Sequence, residues 1–184
     1  MAFGVTDFTG VISSRGLANS NKFEVDIFFP SGRSIKEMNL MCDTVTIAGK
    51  NIQSIVDLQY GIRREVAYGA PTYDPLTLTF YCTENFAEKR LLDNWQQKMV
   101  KTSAISGNNN GGNFDVGYYD DYAKNTKIIV TKLSVTGETM YKHEYREAYP
   151  KTIAALDLSH GVSAGPMKLS ATFNYIYWKD VTSP

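Results

Sequence analysis

The chain has 184 residues, with Lys plus Arg at 19 and Asp plus Glu at 19, for a formal net charge of zero. That length suits one domain burying about 70% of its unfolded surface with no disulfide framework. The charge balance speaks against a nucleic-acid binder acting through bulk positive charge. The longest apolar runs, such as residues 128–130, are far too short to span a bilayer. The opening MAFGVTDFTG shows neither the basic nor the apolar segment of a signal peptide.

In chain order, residues 1–20 are mixed and rich in small side chains, which predicts an extended or poorly ordered arm. Residues 21–180 read as a single β domain. Phe23, Val25 and Ile27 alternate within a strand over 21–29, closed by the Pro30-Ser31-Gly32 turn. A second strand is expected over 35–45, centred on Met38, Leu40 and Cys42. Residues 46–72 hold enough β-formers for a long hairpin, with strands at 52–58 and 62–67 and Gly61 marking a turn or bulge. Ile52, Val56, Leu58, Tyr60 and Ile62 share one parity, and Gln53, Asp57 and Gln59 the other. Two strands alone are marginal, and long exposed edges invite pairing. The hairpin therefore either sits inside a monomeric barrel or completes a sheet shared between subunits.

Residues 74–100 carry the strongest pattern. Leu76, Leu78, Phe80 and Cys82 alternate with Thr77, Thr79 and Tyr81, which predicts a strand. The period then changes: Leu91, Leu92, Trp95 and Met99 form an apolar stripe on a helix at about 86–99. Asn85 is placed to cap it, with Glu88 at the reciprocal position of a capping box. Downstream, NNNGGN at 108–113 reads as a flexible loop without the lysine and hydroxyl of a phosphate loop. Strands are expected at 127–135 and 139–149, a break at 149–153, a further strand at 154–158, and one closing strand at 167–178.

Little of this suggests chemistry. Cys42 and Cys82 read as buried free thiols, and two cysteines with two histidines make a poor metal set. Asp115, Asp120 and Asp121 lack the alternate spacing of a calcium loop. His143 has no nucleophile or carboxylate partner in the pattern and reads as a strand histidine on a half-exposed face. Ser159 and His160 are adjacent, so in a strand they would point to opposite faces. No catalytic, cofactor-binding or metal-binding residue is assigned, and no enzyme is expected. The fold expected is mainly β: an antiparallel barrel or sandwich of two packed sheets, one amphipathic helix and a long hairpin.

The order of these pieces resembles the tail tube proteins of contractile-tailed, T4-like bacteriophages, over roughly residues 21–179. The most specific pieces are Tyr73–Thr79 running into the helix with Asp93, Trp95 and Gln96, the Ala148-Tyr149-Pro150 break before Ile153 and Leu156, and the terminal Phe173, Tyr175, Tyr177, Trp178 strand. Ala48-Gly49 stands where that family tends to carry a proline-glycine turn, and NNNGGN looks like an insertion. The resemblance implies hexameric rings whose sheets join edge to edge around a lumen and stack into a tube inside a contractile sheath. It implies a virion structural protein that delivers the genome, with self, sheath protein, baseplate tube-initiator, tail terminator, tape measure protein and unspecifically held DNA as partners. It is similar in plan to type VI secretion tube subunits.

On that reading Ile52, Ile55, Val56, Leu58, Tyr60 and Ile62 are expected at subunit or ring–ring contacts, since an obligate interface is as apolar as a core cut in half. Gln53, Asp57 and Gln59 are expected to face the lumen. Glu88, Lys89, Asp93 and Gln96 are expected on the outer face of the helix, toward neighbours or sheath. The alternatives are a type VI-like tube, a single-ring baseplate or terminator protein of the same fold, and a monomeric carbohydrate-binding β-sandwich, suggested by twelve tyrosines and two tryptophans.

Overall fold

A computed structural model describes residues 4–58, 61–101, 115–161 and 165–182. Alternation of apolar and polar residues builds two four-stranded antiparallel sheets. Sheet A has the order β1 (Phe23–Phe28), β10 (Lys127–Leu133), β11 (Thr139–Arg146), β14 (Tyr177–Asp180). Sheet B has the order β12 (Tyr149–Ile153), β13 (Lys168–Asn174), β7 (Leu76–Tyr81), β2 (Cys42–Thr46). The sheets pack as a sandwich and do not close into a barrel among the described residues. Val25, Ile27, Ile128, Val130 and Tyr145 of sheet A meet Leu78, Phe80, Leu169, Ala171 and Phe173 of sheet B, all buried. Each such large side chain contributes roughly 1.5–3 kcal/mol by leaving water.

Helix α3 (Ala87–Met99) closes one side of this core. Its apolar stripe is the expected one. Leu92 and Trp95 are buried, with the Trp95 ring 5.1 Å from Phe29 and 6.2 Å from Phe173. Trp95 Nε1 donates to the Tyr122 carbonyl in the short helix α4 (Tyr119–Tyr122), 2.9 Å. The start of α3 differs from expectation. Phe86, not Asn85, stands at the N-cap, in the left-handed region at φ 52°. Thr83 does the capping: its Oγ1 accepts from Ala87 N–H at 3.4 Å, while its N–H and hydroxyl donate to Glu88 Oε2 at 3.0 and 2.9 Å.

Several other expectations are corrected. Within residues 1–20, expected as an extended or poorly ordered arm, Val5–Arg15 is a helix, α1, whose start is tied by Gly4 N–H donating to Asp7 Oδ2 at 3.1 Å. The first half of the expected second strand is helix α2 (Lys36–Leu40), which turns Met38 into the core and lets Asn39 Oδ1 accept from Ile27 N–H on the edge of β1. The expected break at 149–153 is strand β12, where Lys151 is a bulge residue, a form that admits Pro150 in an edge strand. Residues 154–158 form no strand. The closing run splits after Asn174: β13 belongs to sheet B and β14 to sheet A. Tyr175 fixes the crossing, its hydroxyl donating to the Asp74 carbonyl at 2.7 Å. The chain crosses the other way at Glu147, with φ 54°, whose N–H donates to the Thr126 carbonyl.

His143 is buried, 3% exposed, rather than half-exposed. Its ring stacks on Trp178 at 4.3 Å and hydrogen-bonds the Tyr141 hydroxyl. Cys42 and Cys82 are free and partly buried. Burial and the neighbouring Asp43 push the Cys42 thiol up to about 12, and burial and Glu88 raise Cys82, which favours the thiol over the thiolate at both.

Candidate functional site

The segment between β2 and β7 leaves the sandwich. Its base is pinned at Ala48, whose N–H donates to the Tyr145 hydroxyl at 3.3 Å. At Gly49 a Cβ would lie 2.6 Å from the Asp74 carboxylate, so a larger residue there would push that side chain aside. Here β3 (Lys50–Asn51) pairs with β6 (Thr72–Tyr73), and Asn51 Nδ2 donates to Asp74 Oδ1. Beyond this clamp β4 (Ser54–Asp57) pairs, among the described residues, only with β5 (Arg64–Ala67). Gly61, at φ 75°, turns the tip.

Among the described residues nothing covers this hairpin. Ile52 is 66% exposed, Ile55 53%, Leu58 66% and Ile62 72%, and Val56 is also exposed. The predicted contact residues are therefore apolar and bare, an arrangement soluble monomers seldom carry over a contiguous surface. Tyr60 and Gln59 lie outside the described residues.

The pleat does not divide contact from lumen residues as parity suggested. Ile55 faces Val66 across the ladder and shares its face with Asp57, which pairs with Arg64 at 3.1 Å; Val56 lies on the opposite face, across from Glu65. Gln53 sits at the hairpin's foot, where its carbonyl accepts from Tyr68 N–H at 2.7 Å.

The four outer-face residues of α3 also part company. Glu88 is 3% exposed and is occupied in capping the helix, so it is not available to a partner. Lys89 and Asp93 form a partly exposed pair at 2.6 Å. Gln96 Nε2 reaches the carbonyls of Pro150 and Lys151 at 3.3 and 3.4 Å and lashes the helix to β12. Asp93 and Gln96 border a cleft of about 580 Å³ that Met99, Tyr122 and Tyr149 also line. One surface escaped the sequence reading. Helix α1 exposes Val5, Phe8 and Val11 along one side, and their helical spacing was the available signal.

This sandwich, with its hairpin held off the body, has a match in sequence: the family model described as phage tail tube protein covers residues 18–181. The chain belongs to the phage tail tube protein family. It is a structural component of the virion, a subunit of the tail tube. No curated protein matches this tail tube protein in sequence. Solved structures share its fold at low identity. The anti-feeding prophage tube-terminating cap is 11% identical with a TM-score of 0.64, covering 91% of this chain and 92% of that one. The sheath–tube complex of the PVC extracellular contractile injection system gives 14% and 0.57, covering 94% and 96%. The SPP1 tail tube gives 9% and 0.54, covering 89% and 78%. Among the described residues no helix is long and apolar enough to cross a membrane.

Proposed function

We propose that this tail tube protein assembles into stacked hexameric rings forming the genome conduit inside a contractile sheath. The observation that carries the reading is the β4–β5 hairpin. It is a two-stranded sheet whose edges no described residue pairs, and four large aliphatic side chains on it and its flanks are at least half exposed. Such a ribbon is marginal alone and becomes stable when a second copy covers it. Ile52, Ile55, Val56, Leu58 and Ile62 then lie between subunits or rings, and Arg64–Asp57 lies at the margin of that contact. Lys89 and Asp93 remain on the outside, where sheath would meet the tube. The tube's ends would meet the baseplate initiator and the terminator, and its lumen the tape measure protein and DNA. The role is mechanical rather than catalytic. Negative-stain microscopy of the purified full chain tests this: long uniform tubes support it, and a persistent monomer or isolated rings at high concentration contradict it.

A further inference from the structure

The two sheets present very different outer faces to solvent. In sheet B the inward residues Leu76, Leu78, Phe80, Leu169, Ala171 and Phe173 are completely buried, so their alternates point out. The register then places Thr46, Thr77, Thr172 and Thr152 in one row across all four strands. The next row holds Thr44, Thr79 and Ser170. Those of β2 and β12 are exposed and those of β7 and β13 half-buried, so among the described residues no element covers them. The middle of this face carries no charge. At its end Lys168 is held by Asp43 at 2.7 Å, and Lys151 stands on the β12 bulge.

The outer face of sheet A is the opposite. By the same register it carries Lys127, Lys142, Arg146 and Lys179, interleaved with Glu24, Asp26 and Glu144. Arg146 and Lys179 flank Glu144 at 2.6 and 3.7 Å. The closer approach is a charge contact without hydrogen-bond alignment.

We propose that the hydroxyl face of sheet B, centred on the Thr46–Thr77–Thr172–Thr152 row, is the wall of the lumen, along which duplex DNA slides. This rests on the tube reading above and adds which sheet faces inward. The reason is chemical. Each lysine or arginine that meets a phosphate releases counterions and adds affinity, so a wall of cations would hold DNA. Threonine and serine hydroxyls make neutral contacts to phosphate or water and add no such term. Of the two broad faces, sheet B alone has an uncharged middle. Its threonines also stand opposite one another across the ladder, where such pairs stabilise the sheet.

Two measurements on the full chain test the assignment. In a helical cryo-microscopy reconstruction of unmodified tubes, Thr77 and Thr172 should lie nearer the axis than Lys142 and Lys179 by about 10 Å, the spacing of packed sheets. The reverse order overturns the proposal, as does burial of the threonine row between subunits. If no tubes form at all, it is the tube reading that has failed. The second measurement uses T77K/T172K tubes mixed with short duplex DNA. They should retain nuclease-protected DNA at 50 mM salt, where unmodified tubes retain none. Retention should fall by about a thousandfold or more at 200 mM, as expected for six to ten phosphate contacts. Retention of only nuclease-accessible DNA, no retention, or a folded variant that cannot form tubes would each contradict the lumen assignment.

Discussion

Replacing Ile55 by aspartate is expected to abolish tube assembly while leaving the subunit folded. Ile55 is 53% exposed in the free subunit, so an assembly that covers it removes about half its surface from water. Full burial of such a side chain is worth roughly 1.5–3 kcal/mol, so the covered half contributes about 1 kcal/mol per contact. The introduced carboxylate would be left without a partner in that contact, at a cost of about 3–5 kcal/mol. Asp57, on the same face, already engages Arg64, which cannot serve both fully. The sum, about 4–6 kcal/mol, corresponds to roughly a thousandfold to ten-thousandfold weaker association at each contact. The fold should tolerate the change, because among the described residues β4 and β5 pair only with each other. An exposed substitution of this kind stays within about 0.5 kcal/mol, or about 2 °C in melting temperature. Sedimentation and microscopy of I55D beside the unmodified chain, with circular dichroism as the folding control, read both arms. Tubes forming at the unmodified concentration would refute the reasoning.

Three further outcomes follow from the subunit alone. Leu78→Ala, at a fully buried site between the sheets, should lower stability by about 2–5 kcal/mol in denaturant unfolding, whereas Leu58→Ala on the bare hairpin should change it by less than about 0.5 kcal/mol. Glu88→Ala should lose about 1.5–3 kcal/mol, because it removes two hydrogen bonds to a charged acceptor and frees the Thr83 turn; a surface role for Glu88 would leave stability unchanged. Burial lowers the His143 pKa below its ordinary value, against the weaker opposing pull of Asp180. Below pH 6.5 the unfolded chain then binds the proton more readily than the folded one. Stability from this group is complete above pH 6.5 and is lost as pH falls through the lower folded value. His143→Gln should flatten that part of the pH–stability curve, and an unchanged slope would show that the ring does not titrate differently on folding.

The stretch over 74–100 was legible because two periodicities meet there, and β7 and α3 follow them directly. The capping was not, since nothing local says that Phe86 takes a left-handed conformation and that Thr83 reaches Glu88. Helix α2 was read as strand because Met38, Leu40 and Cys42 share parity, yet only tertiary burial of Met38 decides its conformation. The last strand reads as continuous because alternation persists through Tyr175, while the crossing between sheets is set by a hydrogen bond to Asp74, 101 residues away. The hairpin's need for a partner was visible in its crowded aliphatic residues. Which of them share a face was not, because the register of β4 against β5 is fixed by the turn at its tip. The threonine row was hidden for the same reason: it joins four strands spread from Thr46 to Thr172, and only their pairing lines them up.

The central claim is that the bare hairpin is a subunit contact in a tube. A helical reconstruction of tubes grown from the purified chain measures this directly, through the exposure of Ile52, Ile55, Leu58 and Ile62 in the assembly. The account predicts that these side chains, at 53–72% exposure in the free subunit, become buried against a neighbouring copy. Tubes in which the β4–β5 hairpin remains exposed to solvent or projects free into the lumen would contradict it.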